Sequence, residues 1–295
     1  MVNGLKGSIM EGKVGFIDLH VHTTASDGSL TPRQVVQKAR ELGLVAIAIT
    51  DHDSVEGLEE AMAEGEKVGL EVVPGVELSV DCSKGTCHLL GYFIDHKEEK
   101  LRTKLNFVQK ARDERNQKML QRLKELGIDL ELDEVKAFAV DGLICRPHFA
   151  LAMVKKGYVK SVEEAFELYL KKGGPAYVEK FRLTPGEALE TIKRAKGIPV
   201  LAHPFTLDLD EKELDEFIRH LKEMGLEGIE VFYPDHTEEQ VRLYLRLAEQ
   251  NGLAVTGGTD FHGPPREDIL LGKGKGDLAL PYSLLEGLKR RRAFL

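Results

Sequence analysis

The residues most suited to chemistry in this 295-residue chain are histidines that end or adjoin apolar, strand-like segments. Six of the ten histidines occupy such positions: His20, His22, His52, His88, His203 and His262. In parallel α/β folds the active site forms at the carboxyl ends of the strands. These side chains, although far apart in the sequence, are therefore predicted to meet in space.

The first two histidines have a spacing that suits metal binding. His20 and His22 are two residues apart on a predicted strand, so both rings project from the same face. Two neutral imidazoles on one face can chelate a metal ion, although such a pair also occurs as ordinary hydrogen-bonded histidines. Asp260 and His262 repeat the spacing near the other end of the chain. The repetition favours a metal site.

Carboxylates accompany the histidines. Asp27 follows the first strand in ASDGSLTP, where a turn or capping aspartate is the alternative. Glu77 lies in the apolar segment VVPGVELS, where a buried acid requires a metal ion or a salt bridge. Three further acids could accept a hydrogen bond from a ligand histidine and fix its tautomer: Asp18, Asp51 and Asp53.

The combination of ligand types indicates the kind of ion. Histidines and carboxylates without cysteine suit zinc, manganese or iron, whereas structural zinc often takes thiolates. Nine candidates are too many for one ion and predict two or three divalent ions with open water positions, as in metal-assisted phosphoryl transfer. The nine are His20, His22, Asp27, His52, Glu77, His88, His203, Asp260 and His262.

Strands and helices alternate over most of the chain, and this alternation must position the candidates. The predicted strands are Phe16–Thr23, Val45–Thr50, Glu71–Leu78, His88–Ile94, Ile198–His203, Gly228–Phe232 and Leu253–Gly257. Amphipathic helices are predicted at 31–42, 56–68, 185–195, 210–224 and 237–251, the first with a Thr-Pro start. This order predicts a parallel sheet, closed or open, covered by helices.

The middle of the chain has a different pattern. From about Glu98 to Val178 the pattern is helical, with one long, charge-rich helix predicted at Lys97–Leu126. It is interpreted as an insertion that caps one end of the α/β domain; an independent middle domain is the alternative that the sequence leaves open. The predicted organisation is therefore an α/β domain at 14–97 and 185–295, interrupted by a helical insertion at 98–184.

Composition restricts the class of substrate and the compartment. The net charge of −8 argues against a stable complex with long nucleic acid but allows a small anionic substrate held at a local positive site. No signal peptide or membrane span is predicted. Three cysteines without a C-x-x-C pair are typical of reduced thiols, so a cytoplasmic location is expected.

The motifs together resemble the polymerase and histidinol phosphatase (PHP) family of metal-dependent phosphoesterases. They are DLHVHTTASDGSLTP, ITDHDSVEG, PGVELS, HLLGYFID, LAHP and GGTDFHG, which span the chain from about Phe16 to Gly263. ICRPHFA and GGPAYV resemble the branch of nucleoside 3′,5′-bisphosphate phosphatases and 5′-to-3′ exoribonucleases. The resemblance implies a distorted (β/α)7 barrel with an inserted helical subdomain and a trinuclear metal site.

The resemblance also implies how the ligands divide among the ions. The first ion would be held by His20, His22, Glu77 and Asp260. Glu77 would bridge to a second ion held by His88 and His203, and the third would be held by Asp27, His52 and His262. In the R-P-H segment, Arg146 and His148 resemble a clamp for a substrate phosphate, although a solvated helix start is the alternative. Weaker phosphate candidates are Lys180, Arg182 and Arg266, and His96, His220 and His236 are predicted to lie at the surface.

The expected activity is hydrolysis of a nucleotide phosphate ester, in a bisphosphate or at the 5′ end of short RNA, by a metal-activated hydroxide. Three alternatives remain: a phosphatase of the histidinol-phosphate type, an amidohydrolase, and a non-enzymatic metal-binding regulatory module. Asp27 and the T-D-H-D and D-F-H segments favour phosphoester hydrolysis over the amidohydrolase. The inserted helices with R-P-H favour a nucleotide substrate over histidinol phosphate.

Overall fold

One nearly closed sheet forms the centre of the fold in the computed structural model, which describes residues 14–139, 144–264 and 268–293. In that part of the chain the sheet has eight strands, ordered β7-β6-β5-β4-β3-β2-β1-β8. The strands are β1 Phe16–Val21, β2 Ala46–Ile49, β3 Glu71–Val80, β4 Cys87–Tyr92, β5 Ile198–Leu201, β6 Gly228–Phe232, β7 Ala254–Gly257 and β8 Leu280–Pro281. All seven predicted strands are thus confirmed, with bounds that differ by a few residues.

The helices cover the sheet, and their starts follow the capping residues in the sequence. Thr31 caps α1 in a reciprocal pair with Gln34, and Thr184 caps α7 in the same way with Glu187. The helices are α1 Pro32–Glu41, α2 Leu58–Val68, α3 Glu99–Glu125, α4 Leu132–Lys136, α5 Arg146–Lys155, α6 Val162–Ala165 with a π-helical turn at Phe166–Leu170, α7 Pro185–Arg194, α8 Glu211–Glu223, α9 Glu238–Gln250 and α10 Ser283–Arg292.

The prediction of a parallel sheet is wrong for β4, which runs antiparallel to both β3 and β5. Only residues 81–86 separate β3 from β4. A parallel crossover requires a dozen or more residues, whereas an antiparallel pair needs only a short turn. The amino end of β4 therefore lies at the same edge of the barrel as the carboxyl ends of the parallel strands, and this brings His88 to that edge.

The barrel closes where the chain after β7 meets the end of β1. The N–H of His22 donates to the carbonyl oxygen of Phe261 at 2.9 Å, and Val21 forms a parallel bridge with Phe261. Gly258 allows this close approach, because a Cβ atom there would lie 2.3 Å from the Cβ of His20. The closure places the H-x-H pair, His20 and His22, beside the D-x-H pair, Asp260 and His262.

The helices of the insertion have an apolar core of their own, formed by side chains between Met119 and Val178. α3 joins this core to the barrel, because its first half packs Leu101 and Leu105 against the covering helices and its second half packs Leu123 into the insertion. The region of α3 between these two contacts faces the edge that carries the histidines. We retain 98–184 as the proposed bounds of the insertion.

Two elements near the end of the chain were not predicted. β8 has only two residues, too few for a recognisable pattern, and pairs antiparallel with β1. α10 packs Leu285 and Leu288 onto the apolar side chains inside the barrel. Within the described ranges, no helix combines the length and the apolarity that crossing a membrane requires. The cytoplasmic location stays a prediction.

Candidate metal centre

Glu77 lies at the centre of the predicted ligands. It is fully buried on β3, and its two carboxylate oxygens face five histidine rings. Oε1 lies 2.8 Å from Nδ1 of His88 and 3.0 Å from Nε2 of His203. Oε2 faces the other three ring nitrogens: Nδ1 of His52 at 3.0 Å, and Nε2 of His20 and of His22, each at 3.2 Å.

Two aspartates extend the cluster to the remaining candidates. Oδ1 of Asp260 lies 3.0 Å from Nε2 of His22, 3.4 Å from Nε2 of His20 and 3.5 Å from Nδ1 of His262. Oδ1 of Asp27 lies 3.3 Å from Nε2 of His262 and 3.7 Å from Nδ1 of His22. All nine predicted ligands therefore belong to one continuous cluster, although they are spread over more than 240 positions.

Three groups within this cluster have ligand atoms that all lie within 4.8 Å of one another. The groups are His20, His22, Glu77 and Asp260; His22, Asp27, His52 and His262; and His52, Glu77 and His88. The first matches the expected set for one ion, and the second contains the expected third set plus His22. The third has His52 in place of His203, whose Nε2 nevertheless lies 3.4 Å from Nδ1 of His88. The division among ions stays a prediction.

The donor atoms fit divalent cations better than they fit one another. Buried atoms without a hydrogen-bond partner point into the cluster: Nε2 of His20, Nε2 of His22, Nδ1 of His52, Oδ1 of Asp27 and Oε2 of Glu77. Unpaired buried polar atoms are strongly disfavoured in proteins. Ligands about 2.1 Å from a shared ion lie about 3.0–3.4 Å apart, which is the spacing that these atoms show.

The electrostatics of the site are those of a cation-binding cluster. Burial alone would raise the pKa of Glu77, but the surrounding histidines hold it well below its usual range. Burial would likewise lower the pKa of His22, but the neighbouring carboxylates of Asp260 and Glu77 raise it to about 10. Burial also opposes protonation of His20, whose pKa the charges of Glu230, Glu77 and Asp260 raise well above the usual value. In the absence of metal, protons supply positive charge to these carboxylates.

Two of the nine predicted ligands have backbone conformations that residues with a side chain rarely adopt. His203 has a φ of +22° and Asp260 a φ of +54°. Strained backbone of this kind persists only where the surroundings hold it, and it is concentrated at functional sites. His203 lies just beyond the end of β5 and Asp260 just beyond the end of β7, and the strained backbone turns each side chain into the cluster.

The predicted supporting acids are buried, but they hold backbone and hydroxyl groups rather than histidine rings. Asp18 accepts the N–H groups of Thr259 and Gly272, both after β7. Asp51 accepts hydrogen bonds from the N–H and the hydroxyl of Thr23 and from the hydroxyl of Ser26. Asp53 accepts hydrogen bonds from the N–H and the hydroxyl of Ser79. The prediction that one of them orients a ligand ring directly is wrong.

Outside the nine predicted ligands, Glu230 on β6 is a carboxylate that contacts one of their rings, and the sequence analysis missed it. Its Oε1 lies 3.0 Å from Nδ1 of His20, and its Oε2 accepts the N–H of His203 at 2.8 Å. Tyr233, also missed, donates its hydroxyl to Oδ2 of Asp260 at 2.9 Å. The signal for Glu230 was present, because an acid in the apolar strand GIEVF needs a partner as Glu77 does.

The R-P-H segment begins α5 at the edge of the cluster. Sγ of Cys145, which precedes it, lies 3.9 Å from Oδ2 of Asp27. His148 is buried and lines a cleft of about 240 Å³ together with Asp27 and His262. The guanidinium of Arg146 donates to the carbonyl oxygen of Leu170 and lies over the rings of Phe166 and Tyr177. That Arg146 and His148 bind a substrate phosphate stays a prediction.

Two buried arginines on α3 were not anticipated. Arg112 donates to Oδ2 of Asp53 and, at 3.2 Å, to Sγ of Cys145. Arg115 is 5% exposed and donates to Sδ of Met119. The Nε atoms of both arginines are buried without a hydrogen-bond partner.

The other predicted residues have varied surroundings. Lys180 lies in the same region as the α3 arginines, with its amine 2.5 Å from Oγ of Ser79 and 3.6 Å from Oδ2 of Asp53. Arg182 instead pairs with Glu179. Arg266 lies outside the described residues. His220 is exposed as predicted, whereas His96 and His236 are half-buried.

Comparisons with known proteins identify the family of the chain. The family model of the PHP domain matches residues 18–245. Two relatives are each 34% identical: a 5′-3′ exoribonuclease of Haemophilus influenzae, with 84% of this chain and 90% of the relative covered, and a 3′,5′-nucleoside bisphosphate phosphatase of Chromobacterium violaceum, with 84% and 87% covered.

Two solved structures share the fold. One, of a protein named as a presumed metal-dependent phosphoesterase of Bifidobacterium adolescentis, has a TM-score of 0.82 at 30% identity, with 93% of this chain and 96% of that chain covered. The other, named an amidohydrolase of Chromobacterium violaceum, has a TM-score of 0.81 at 32% identity, with 92% and 96% covered. The chain is therefore a hydrolase of phosphoric ester bonds, and it belongs to the PHP domain family.

Proposed function

We propose that this metal-dependent phosphoesterase hydrolyses a phosphate ester of a nucleotide that carries a second anionic group, as in a nucleoside 3′,5′-bisphosphate or at the 5′ end of a short RNA. The observation that carries the proposal is a basic cluster beside the metal centre, in which two arginines are buried and the other two side chains are half-buried. We use this name for Arg112, Arg115, Arg146 and Lys180.

The charge of the basic cluster is not neutralised by the described part of the protein. Asp53 is the carboxylate that pairs with Arg112 and Lys180, and the described residues supply no carboxylate partner for Arg115 or Arg146. Burial, together with the charges of Arg112 and Arg146, lowers the pKa of Arg115 to about 10. Burial and the charge of Arg112 likewise lower the pKa of Lys180 to about 8. Such an excess of positive charge is suited to bind an anion.

The basic cluster is joined directly to the metal centre. Asp53 contacts Arg112 and adjoins His52, while Cys145 lies between Arg112 and Asp27. A substrate with one phosphate at the metal centre could therefore place a second phosphate at the arginines. This arrangement supports a bisphosphate or a terminal phosphodiester more strongly than a simple monophosphate.

The cleft beside the metal centre suits the sugar or the base of a nucleotide. Its polar side is formed by Asp27, His148 and His262. Its apolar side is formed by Phe138 and Leu151. Binding sites for small molecules typically combine a mostly apolar lining with a few placed polar groups.

The protein itself would contribute binding, orientation and charge to the reaction. The nine ligands would hold two or three divalent ions of manganese, zinc or iron, which in such sites activate water and neutralise charge on the phosphoryl oxygens. The arginines would hold the second phosphate with their planar donor groups and so align the ester bond. The buried position of Glu77, His20 and His22 keeps bulk water from the reacting groups and strengthens each charge interaction.

The charge of the cluster also bears on the alternatives. Histidinol phosphate carries an amine, and a cation beside Arg112, Arg115 and Lys180 would be repelled. A cyclic amide carries no anion that would use these residues, which disfavours the amidohydrolase activity. A non-enzymatic metal-binding module would keep the ion ligands but would have no use for a basic cluster beside them.

A panel of substrates tests the proposal. Purified protein with Mn²⁺ would be given nucleoside 3′,5′-bisphosphates, nucleoside 5′-monophosphates, short 5′-phosphorylated RNA, histidinol phosphate and a cyclic amide. The proposal predicts the highest kcat/KM for a bisphosphate or the RNA. Faster hydrolysis of histidinol phosphate or of the amide would contradict it.

A further inference from the structure

β6 differs from the other strands that form the wall of the metal centre. Each of β1–β5 and β7 contains or leads into at least one of the nine predicted ligands, whereas β6 contributes none. β6 instead supplies Glu230 within the strand and Tyr233 directly after it. We infer that β6 is a positioning strand, whose Glu230 and Tyr233 orient three ligands from β1, β5 and the segment after β7. This inference rests on the proposed metal centre and deepens it.

Glu230 fixes the orientation and the tautomer of His20. The carboxylate of Glu230 is fully buried and can only accept hydrogen bonds, so Nδ1 of His20, 3.0 Å from Oε1, must carry the hydrogen. Nε2, 3.2 Å from Glu77 and 3.4 Å from Asp260, is then the nitrogen that can bind a metal ion once it is deprotonated. A carboxylate on the far nitrogen of a ligand histidine also makes the ring a stronger donor to a metal ion.

The same carboxylate holds the strained backbone of a second ligand. Oε2 of Glu230 accepts the N–H of His203, whose φ of +22° is unfavourable for a residue with a side chain. On the other side of His203, Nδ1 lies 3.0 Å from the hydroxyl of Thr206. Nε2 is thereby directed at Glu77. Glu230 thus couples the positions of two ligands that lie on different strands.

Tyr233 orients Asp260 in a comparable way. Its hydroxyl donates to Oδ2, so Oδ1 is left facing His20 and His22. The ring of Tyr233 is 7% exposed and packs against the rings of Phe205 and His236, with centroids 5.5 and 5.2 Å away. This packing limits the rotation of the phenol and makes it a rigid donor.

Two variants separate positioning from folding. Glu230→Gln keeps the size of the side chain but removes its charge, and Tyr233→Phe removes only the hydroxyl. Glu227→Gln is the matched control. Glu227 directly precedes the first residue of β6, at the end away from the metal centre, and pairs with Arg291. For each protein, the Mn²⁺ dissociation constant would be measured by titration calorimetry after chelation. The melting temperature of the metal-free protein would also be measured, as would kcat and KM at saturating Mn²⁺.

The inference predicts about 10- to 100-fold weaker Mn²⁺ binding in Glu230→Gln. In Tyr233→Phe we expect a smaller loss of affinity and a lower kcat with KM unchanged, while Glu227→Gln matches the parent protein. If Glu230→Gln does not fold, the Mn²⁺ affinity and kcat of Tyr233→Phe alone test the inference. Parental Mn²⁺ affinity and kcat in the folded variants would overturn the inference. Because metal binding is measured without substrate, a failure to hydrolyse nucleotides would contradict the proposed function and leave this inference standing.

Discussion

Arg112 and Asp53 form a buried ion pair that joins helix α3 of the insertion to the loop that carries His52. Side chains of Asp53 and Arg112 are at most 2% exposed. Arg115, one turn further along α3, is nearly as buried but has no such partner among the residues described. The two arginines therefore allow the effect of a paired buried charge to be compared with that of an unpaired one.

Replacing each arginine with methionine should change stability in opposite directions. Arg112→Met leaves Asp53 with a weakened set of partners and should destabilise the protein by about 3–5 kcal/mol. Arg115→Met removes an uncompensated charge and should be neutral or stabilising by about 1–4 kcal/mol. At about 2–4 °C per kcal/mol for domains of roughly this size, calorimetry of the substrate-free protein would resolve the difference. Equal destabilisation by both variants would show that Arg115 is compensated.

Substrate selectivity should depend on Arg146. Loss of a charge-assisted contact to phosphate is worth about 1.5–3 kcal/mol, so Arg146→Gln should lower kcat/KM for a nucleoside bisphosphate by about 10- to 100-fold. Hydrolysis of p-nitrophenyl phosphate, which has no second phosphate, should change little. Arg194→Gln on α7 serves as the control, because Arg194 is half exposed and pairs with Glu190. An equal loss of kcat/KM on both substrates would show that Arg146 does not bind the second phosphate.

Metal binding should weaken as the pH falls. The pKa of His22 is raised to about 10 and that of His20 is also raised, so both rings are protonated near pH 7 in the metal-free protein. A ligand nitrogen must be deprotonated, so binding releases protons and affinity should increase with pH below about 10. Titration calorimetry of Mn²⁺ in buffers with different ionisation enthalpies would count the released protons. Binding without proton release near pH 7 would contradict the expectation.

Removal of metal should lower the melting temperature of the parent protein but not that of a variant without the Glu77 carboxylate. Ions that bind the folded state at about 100 times their dissociation constant add about 2.7 kcal/mol, or roughly 5–10 °C in melting temperature. Chelation should abolish this increment in the parent protein, and Glu77→Gln should show no increment to lose. His220→Ala, which changes an exposed histidine, should behave as the parent protein does. An undiminished response to chelation in Glu77→Gln would place the stabilising ions elsewhere.

The sequence was sufficient to predict which residues meet in one cluster, because each of them belongs to a recognisable local pattern. His20, His52 and His203 follow or end apolar segments, and a parallel sheet brings such ends together. His88 belongs to the cluster for a different reason, because it lies at the beginning of its strand. It reaches the same edge since β4 is antiparallel, a direction that the short connection to β3 could have indicated.

The supporting residues could not be assigned from the sequence, since their partners depend on distances between strands. Asp18 shares a face with His20 but is held by Thr259 and Gly272, which are more than 240 positions away. Glu230 contacts His20 only because β6 and β1 meet across the interior of the barrel. A pattern shows that a buried acid needs a partner but does not identify that partner.

The two arginines of α3 were missed because the helix is charged along most of its length. Its apolar residues indicate two packing regions, but a solvated face and a face turned towards the active site look alike in a sequence. Arg112 and Arg115 are distinguished from the exposed basic residues beside them only by the position of the insertion over the barrel.

An anomalous diffraction measurement on crystals soaked in Mn²⁺ would test the central claim most directly. The account predicts two or three strong peaks among the side chains of the cluster, each within bonding distance of at least three of the nine ligands. Glu77 is predicted to contact more than one peak. A map without peaks there, under conditions in which the enzyme is active, would contradict the assignment of these residues as a metal centre.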